Sequence, residues 1–177
     1  MKKYLIFLVL PFIFIACSRE SKKNSDISLW QFFPNSKIVY DGGFEGTNYI
    51  ITSEKIGDEL LLQKVEGSAM TLTRVIKITS NEAKIIFIGE EGMEYQDGVT
   101  NRNETFIKKP LETGNSWTSD ESTFTITSFD GKILVVNKTF DDTSMVTSYE
   151  IGVGMVNDSF SSGNFNNVSK LVEKNDL

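Results

Sequence analysis

The sequence contains no histidine and a single cysteine, Cys17. Histidine is the commonest general base and the commonest zinc ligand, so its absence excludes every Ser-His and Cys-His nucleophile arrangement. One cysteine allows neither an intramolecular disulfide nor a cysteine-based metal site. We therefore expect a protein that is not an enzyme and that holds no metal and no cofactor.

Basic residues are scarce relative to acidic ones. The chain has 18 lysines and arginines against 24 aspartates and glutamates, a net charge of −6. Lys2 and Lys3 belong to a leader without carboxylates, so the chain after Cys17 carries −8. Nucleic-acid phosphates require basic patches, and we expect no nucleic-acid partner. Any membrane attachment should rest on something other than surface charge.

The chain has one long apolar run, residues 4–15, which is interrupted by Pro11. A membrane-spanning helix needs about 20 apolar residues, so this run is too short to span a bilayer. A charged start, an apolar middle and the small residue Ala16 are typical of a secretory signal peptide. Together with Cys17, the segment resembles the lipobox of bacterial lipoproteins, with Phe14 in place of the usual leucine. The alternative is an ordinary cleaved signal peptide whose cysteine is incidental.

The lipobox resemblance implies that Cys17 is acylated, as with palmitate, and becomes the mature N-terminus. Each buried methylene contributes about 0.8 kcal/mol, and stable anchoring usually takes more than one chain. A lipoprotein cysteine carries two or three. The expected location is the cell envelope: the outer membrane of a two-membrane cell or the cell membrane of a one-membrane cell. Residues 18–28 contain one apolar residue in eleven, which predicts a flexible tether.

Residues 29–177 are expected to form a single all-β domain. Short β-rich segments follow one another at roughly ten-residue spacing, and no stretch keeps a helical period over three turns. This pattern predicts an antiparallel meander of about 10–12 short strands, closed as a barrel or folded as a sandwich. The predicted strands include residues 93–96 and a segment that ends at residue 156. The dipeptide Asp130-Gly131 predicts a type I′ hairpin turn.

Residues 70–79 show the clearest period of two, with apolar and polar residues on opposite faces. Arg74 is the exception, because it lies on the apolar side. We expect Arg74 to lie at the rim of the core or to pair with a carboxylate.

Residues 29–34, Leu-Trp-Gln-Phe-Phe-Pro, open the folded part as a short helical turn or an edge strand. They are expected to plug one end of the core, or alternatively to form a membrane-facing or ligand-facing aromatic patch. Residues 34–36 and 110–117 also form a faint internal echo, since each runs from a proline to Asn-Ser. Two similar halves are therefore possible.

Trp117, Tyr149, Gly152 and Gly154 are the candidate structural or ligand-platform residues. Trp117 follows a proline–glycine connector that constrains its backbone, and a tryptophan buries some 150 to 250 Å². The two glycines leave gaps in a strand that otherwise carries Tyr149, Ile151 and Val156, and gaps weaken a strand unless something fills them. We expect the Trp117 ring to fill them, or else to be exposed as a ligand platform.

Two motifs carry a resemblance: Pro-Leu-x-x-Gly-x-x-Trp at residues 110–117 and Tyr-x-x-Gly-Val-Gly-Met-Val at residues 149–156. They resemble a group of small exported β-rich proteins and lipoproteins from clostridia and related bacteria. Residues 33–42 loosely match the Phe-Pro opening that is common in that group. The resemblance implies an exported all-β fold and transfers no catalytic residue.

Catalytic and metal-binding alternatives have weak support. The adjacent carboxylates Glu90-Glu91 and Asp141-Asp142 are typical of solvated turns, whereas a glycosidase needs two carboxyls about 5 to 10 Å apart across a cleft. Residues 141–144 have oxygen ligands for calcium but lack the spacing of a calcium loop. Residues 152–154 lack the helix and third glycine of a dinucleotide loop.

The first expectation is a membrane-anchored lipoprotein whose non-catalytic β-domain binds a protein or an envelope polymer. The alternative is a carrier of a lipid or other apolar ligand in a curved sheet, and a hydrolase without histidine comes third. A dry internal cavity above roughly 300 Å³ would favour the carrier, and a filled core would favour the binding module.

Overall fold

The computed structural model describes residues 26–42, 48–68, 70–90 and 92–177. These residues include the 3-10 helix Leu29–Phe32 and twelve β-strands. The strands are β1 (Ser36–Asp41), β2 (Tyr49–Lys55), β3 (Leu60–Gly67), β4 (Thr71–Ile78), β5 (Glu82–Glu90), β6 (Glu104–Lys108), β7 (Ser116–Ser119), β8 (Ser122–Phe129), β9 (Ile133–Phe140), β10 (Thr143–Glu150), β11 (Gly154–Ser162) and β12 (Phe165–Asp176).

All twelve strands belong to one antiparallel sheet, in the order β6-β5-β4-β3-β2-β1-β12-β11-β10-β9-β8-β7. The chain thus forms two six-stranded meanders, which are joined where β1 pairs with β12. The result is a nearly closed, barrel-like meander rather than a sandwich. The all-β class, the antiparallel meander and the number of strands predicted from the sequence are confirmed.

The remaining seam, between β6 and β7, is bridged by side chains. The Thr105 amide of β6 donates to Ser119 Oγ of β7 at 2.8 Å, and Ser119 Oγ donates to the Asn103 carbonyl at 3.2 Å. The Trp117 indole Nε1 donates to the Thr105 carbonyl at 2.7 Å. Ser119 and Trp117 of β7 therefore supply bonds that a neighbouring strand would otherwise make.

The 3-10 helix plugs one end of the barrel, as the sequence predicted. Leu29, Phe32 and Phe33 are buried in the main hydrophobic cluster. The Gly152 amide, in the turn between β10 and β11, donates to the Gln31 carbonyl at 2.7 Å and fixes the plug to the barrel wall. Ile27, which the sequence placed in the tether, already packs against this cluster.

Two local predictions were wrong. Residues 93–96 are not a strand but part of the β5–β6 loop. The loop folds back onto β5, where the Asn101 side chain bonds both the amide and the carbonyl of Ile88. Asp130-Gly131 does join a hairpin, but only Gly131 has a positive φ, so the turn is not type I′. Asp130 instead accepts hydrogen bonds from the Lys132 and Ile133 amides.

Candidate functional site

A cavity of about 270 Å³ lies inside the barrel. Phe32 and Phe33 of the plug segment are among the residues that line it. Its walls are formed by side chains that alternate inward along strands of both meanders. The volume of the cavity is slightly below the roughly 300 Å³ expected of a carrier for an apolar ligand. The cavity wall also includes charged and polar side chains. The interior is therefore neither a dry cavity nor a filled core.

One wall carries a row of polar side chains on three adjacent strands. Ser53 of β2, Gln63 of β3 and Arg74 of β4 occupy directly opposed positions in the register. Arg74 Nε donates to Gln63 Oε1 at 2.8 Å, and Gln63 Nε2 donates to Ser53 Oγ at 2.9 Å. Arg74 thus lies within the interior and is oriented by an amide. In the described ranges it forms no ion pair, contrary to one of the two expectations.

A second polar row lies on β10, β11 and β12. Thr147, Asp158 and Ser169 are opposed in the register. The Thr147 hydroxyl donates to Asp158 Oδ1 at 2.7 Å. Burial raises the pKa of the Asp158 carboxyl, and the Thr147 hydrogen bond and the Arg74 charge act in the opposite direction. An acidic group therefore faces the interior with one neutral hydrogen-bond donor.

Three tyrosines contribute rings to the cavity wall. Tyr40 and Tyr49 are stacked, with centroids 4.8 Å apart, and the Tyr40 hydroxyl donates to the Met155 carbonyl at 2.7 Å. Burial raises the pKa of Tyr49 to about 12, with the nearby Asp158 charge adding to the shift. The pKa values of Tyr40 and Tyr149 are also raised by burial. All three phenols stay neutral over the physiological range and present ring faces and hydroxyls.

Tyr149, one of the predicted candidate residues, packs within an aromatic group that lines the cavity. Its ring lies 5.9 Å from that of Phe33 and 6.2 Å from that of Phe106, and those two rings lie 5.9 Å apart edge to face. Tyr149 therefore serves both the core and the cavity wall.

A compact ion-pair network borders the cavity near the seam. Glu104 is 6% exposed and pairs with Arg102 at 2.7 Å and with Lys138 at 3.0 Å. Arg102 also pairs with Asp120 at 2.7 Å. Burial alone raises the pKa of the Glu104 carboxyl, but the hydrogen bonds from Arg102 and Lys138 outweigh it and hold the pKa below its usual range. These charges are already satisfied by one another.

Trp117 lies half-buried at the seam. Its ring stacks on Phe124 with a centroid distance of 5.7 Å and packs against the main cluster. Together with its hydrogen bond to Thr105, this gives Trp117 a packing role in closing the barrel. It is not among the residues that line the cavity, whereas Phe124 is.

The two glycines do not receive the Trp117 ring, so that expected contact was wrong. A Cβ built on Gly154 would lie 3.2 Å from Ile38 Cδ1, and one built on Gly152 would meet nothing within 4 Å. Both have positive φ, 76° at Gly152 and 104° at Gly154. Glycine therefore suits both positions because it adopts a positive φ readily. At Gly154 the absence of a side chain also lets Ile38 pack closely against the backbone. Gly154 lines the cavity, and Gly152 lies in the turn that holds the plug.

The sequence reasoning missed Asp158, Tyr40 and Tyr49 as site residues. The exceptional position of Arg74 on an apolar face was the one available signal. Cys17, the predicted lipidation site, lies outside the described residues, as do the leader and most of the tether.

The described ranges contain no group of three or more metal-ligating side chains. Among the same residues, no helix has the length and apolar character needed to cross a membrane. A second depression of about 330 Å³ lies on the outer face beneath the β5–β6 loop, bounded by Ile56, Leu62, Thr73 and residues 93–95. Its one charged lining group is Glu94, so it lacks the facing charges of the interior cavity.

Comparison with known proteins gives no relative: no family model, no curated protein and no solved structure matches this chain. The suspected kinship with exported clostridial proteins stays a prediction.

Proposed function

We propose that this protein is a membrane-anchored lipoprotein of the cell envelope whose β-domain binds a small molecule in the interior cavity without altering it chemically. The anchor would be the acylated Cys17, and the leader pattern at residues 1–17 supports it. Binding without chemistry is supported by the absence of histidine from the chain.

The observation that carries the proposal is the cavity itself. Protein interiors are close-packed, and voids larger than a water molecule are few. Buried polar groups without partners cost stability, so an interior space bordered by charged and hydroxyl side chains needs a compensating benefit. A ligand that completes those hydrogen bonds supplies it. The lining mixes aromatic, aliphatic and a few polar groups, as small-molecule sites do.

Ligand-observed NMR on the full-length protein in mild detergent tests the cavity, using a library of small polar and aromatic compounds. We expect a subset to bind the wild type and to lose binding in Met145→Trp, because Met145 lines the cavity and the larger ring would fill it. Val168→Trp places the same ring on an exposed position of β12 and should leave binding unchanged. Equal binding by both variants, both verified as folded, would contradict an interior site.

The anchor is tested separately by labelling cells with a fatty-acid probe. The wild type should take up label and partition with membranes, and Cys17→Ser should lose both properties. A Cys17→Ser protein that is still labelled would show that the acyl chain is elsewhere.

A second candidate function, binding of a protein or an envelope polymer, is favoured by exposed apolar side chains on β12. Val168 is 43% exposed and Val172 is 63% exposed. If Val172→Lys abolished capture of an envelope component while small-molecule binding was absent, this function would replace the first.

A further inference from the structure

Four charged side chains line the interior cavity, and they fall into two kinds. Glu104 and Lys138 neutralise each other at 3.0 Å, with Arg102 as a further partner of Glu104. Arg74 and Asp158 have no ion-pair partner anywhere in residues 26–42, 48–68, 70–90 and 92–177. The cavity therefore holds one cation and one anion that form no ion pair among the described residues and act on each other only at longer range.

Arg74 and Asp158 belong to different walls. Arg74 is on β4 and Asp158 is on β11, and these strands lie in opposite meanders. Arg74 uses only Nε, toward Gln63, so its two terminal nitrogens have no partner within the part of the chain described. Asp158 accepts one bond from Thr147 at Oδ1, which leaves its second oxygen equally unoccupied there. A planar donor fork and a carboxylate oxygen thus face one small space.

Tyr40, Tyr49 and Tyr149 line the same cavity as the two charges. The Asp158 charge raises and the Arg74 charge lowers the pKa of Tyr40, Tyr49 and Tyr149 alike, so all three rings lie within electrostatic reach of both groups. Aromatic ring faces attract a cation and pack well against an apolar body. The surroundings consequently suit a compact molecule that has two opposite charges and a hydrophobic part.

The geometry points to a small zwitterion as the ligand, an α-amino acid or a short peptide, with its carboxylate on the Arg74 guanidinium and its ammonium on the Asp158 carboxylate. This inference rests on the proposed function, since it names the ligand class of the same cavity. Arginine binds a carboxylate through two parallel hydrogen bonds, and charge-assisted bonds are about twice as strong as neutral ones.

Other ligand classes leave one or both charges unmatched. A purely apolar lipid would remove Arg74 and Asp158 from water without pairing either, which is strongly unfavourable. A simple carboxylic acid would satisfy Arg74 but bring a second negative charge near Asp158. A simple amine would satisfy Asp158 but bring a second positive charge near Arg74. Only a molecule carrying both charges completes both walls, so the cavity should reject the singly charged analogues.

Calorimetric titration of the full-length protein in detergent tests this with matched compounds. Phenylalanine, hydrocinnamate and phenethylamine share one ring and differ in charge, and the dipeptide Ala-Phe separates an amino-acid ligand from a peptide ligand. We expect the zwitterion to bind about tenfold or more tightly than either singly charged analogue. Arg74→Gln should reduce the affinity for phenylalanine to that for phenethylamine. Asp158→Asn should reduce the affinity for phenylalanine to that for hydrocinnamate.

Two further variants keep the test decisive. Arg74→Lys retains the charge without the fork and should give an intermediate affinity. Lys64→Gln removes a charge from the exposed face of the adjacent strand β3 and should change nothing. Circular dichroism establishes that each variant is folded.

Hydrocinnamate binding as tightly as phenylalanine, with dependence on Arg74 alone, would overturn the inference in favour of a simple anion. The inference also fails if neutral compounds bind in the cavity and neither Phe nor Ala-Phe does, in which case the proposed function survives. If no compound of any class binds, both fall together.

Discussion

At the scale of single residues, Asp158 is a carboxylate whose charged form is disfavoured by the fold. Burial raises the pKa of its carboxyl, and only the Thr147 hydroxyl and the Arg74 charge oppose that shift. Because the folded state binds this proton more tightly than the unfolded chain does, stability falls as pH rises through the interval between the two pKa values. The fold therefore retains a carboxylate that reduces its own stability at neutral pH.

We predict that Asp158→Asn raises the thermal midpoint of the ligand-free protein at about pH 7, because a neutral amide replaces a buried charge while still accepting from Thr147. The difference should vanish toward about pH 3, where the aspartate is protonated in both states. Burial raises the pKa values of Tyr40, Tyr49 and Tyr149, so these phenols stay neutral throughout that interval. Asp142→Asn, at an exposed turn, is the control. A lower midpoint for Asp158→Asn at pH 7 would instead mean that the carboxylate stabilises Arg74 across the cavity.

Trp117 contributes to closure of the seam through both packing and a hydrogen bond. Trp117→Ala removes the stack on Phe124 and the bond to the Thr105 carbonyl together, and we expect a loss of about 3 kcal/mol in unfolding free energy. Trp117→Phe keeps a ring on Phe124 and loses only the hydrogen bond, so it should cost about 1 kcal/mol. Denaturant melts measure both, and an unchanged midpoint for Trp117→Ala would rule out the packing role.

At the scale of elements, the internal echo in the sequence marks corresponding positions in the two meanders. Residues 34–36 lead into β1, the first strand of one half, and residues 110–116 lead into β7, the first strand of the other. In each case the asparagine side chain bonds nearby backbone: Asn35 accepts from the Lys55 amide, and Asn115 donates to the Lys108 and Pro110 carbonyls. The repeated Asn-Ser therefore serves strand entry.

The β10–β11 hairpin has two glycines with different requirements, Gly152 in the turn and Gly154 at the start of β11. Gly154→Ala places a methyl group 3.2 Å from Ile38 Cδ1 at a φ of 104°, so we expect a cost of about 2–3 kcal/mol. Gly152→Ala meets no atom within 4 Å at a φ of 76° and should cost about 1 kcal/mol. Thermal melts compare the stability of Gly154→Ala with that of Gly152→Ala. Adding Ile38→Val to Gly154→Ala should recover part of the lost stability. Equal costs would show that conformation alone matters.

Local chemistry explains which elements were predictable from the sequence. Alternation over residues 70–79 predicted the inward face of β4, including the exceptional Arg74, because side-chain direction in a strand follows a period of two. Residues 157–163, which have Phe160 as their one large apolar side chain, gave no strand signal after residue 156, yet β11 runs to Ser162 and carries Asp158. Polar side chains that face an interior cavity look like loop residues to any rule based on apolar alternation.

The type I′ turn was also assigned to the wrong hairpin. Asp120 and Glu121, between β7 and β8, both have positive φ, and neither is glycine or asparagine. The Arg102–Asp120 ion pair holds this turn at the seam. Turn type here depends on a contact between distant segments, which local propensity does not contain.

At the scale of the whole molecule, the closure of the sheet into a barrel could not be predicted from the sequence. The pairing of β1 with β12 joins segments at opposite ends of the domain, and the β6–β7 seam uses side chains instead of a ladder. The number of strands follows from the local spacing of β-rich segments. Whether the strands form a barrel or a sandwich depends on the β1–β12 pairing and the β6–β7 seam. The cavity follows from closure, so it was equally invisible before the fold was known.

The seam should consequently be the line along which the barrel opens first. Ser119 Oγ is the acceptor for the Thr105 amide, which belongs to a residue that is 6% exposed. We predict that Ser119→Ala speeds hydrogen exchange of the Thr105 amide at least about fivefold. The substitution removes the bond to that amide, worth about 1 kcal/mol net, together with the bond that Ser119 Oγ donates to the Asn103 carbonyl, so the free energy of local opening falls. Exchange in the β1–β12 ladder should not change. Ser116→Ala is the matched control, since Ser116 lies on the same strand but bonds to Phe124 and Thr125 of β8 rather than across the seam. Acceleration at Thr105 by both variants would mean that β7 frays as a unit, and acceleration by neither would mean that the barrel opens elsewhere.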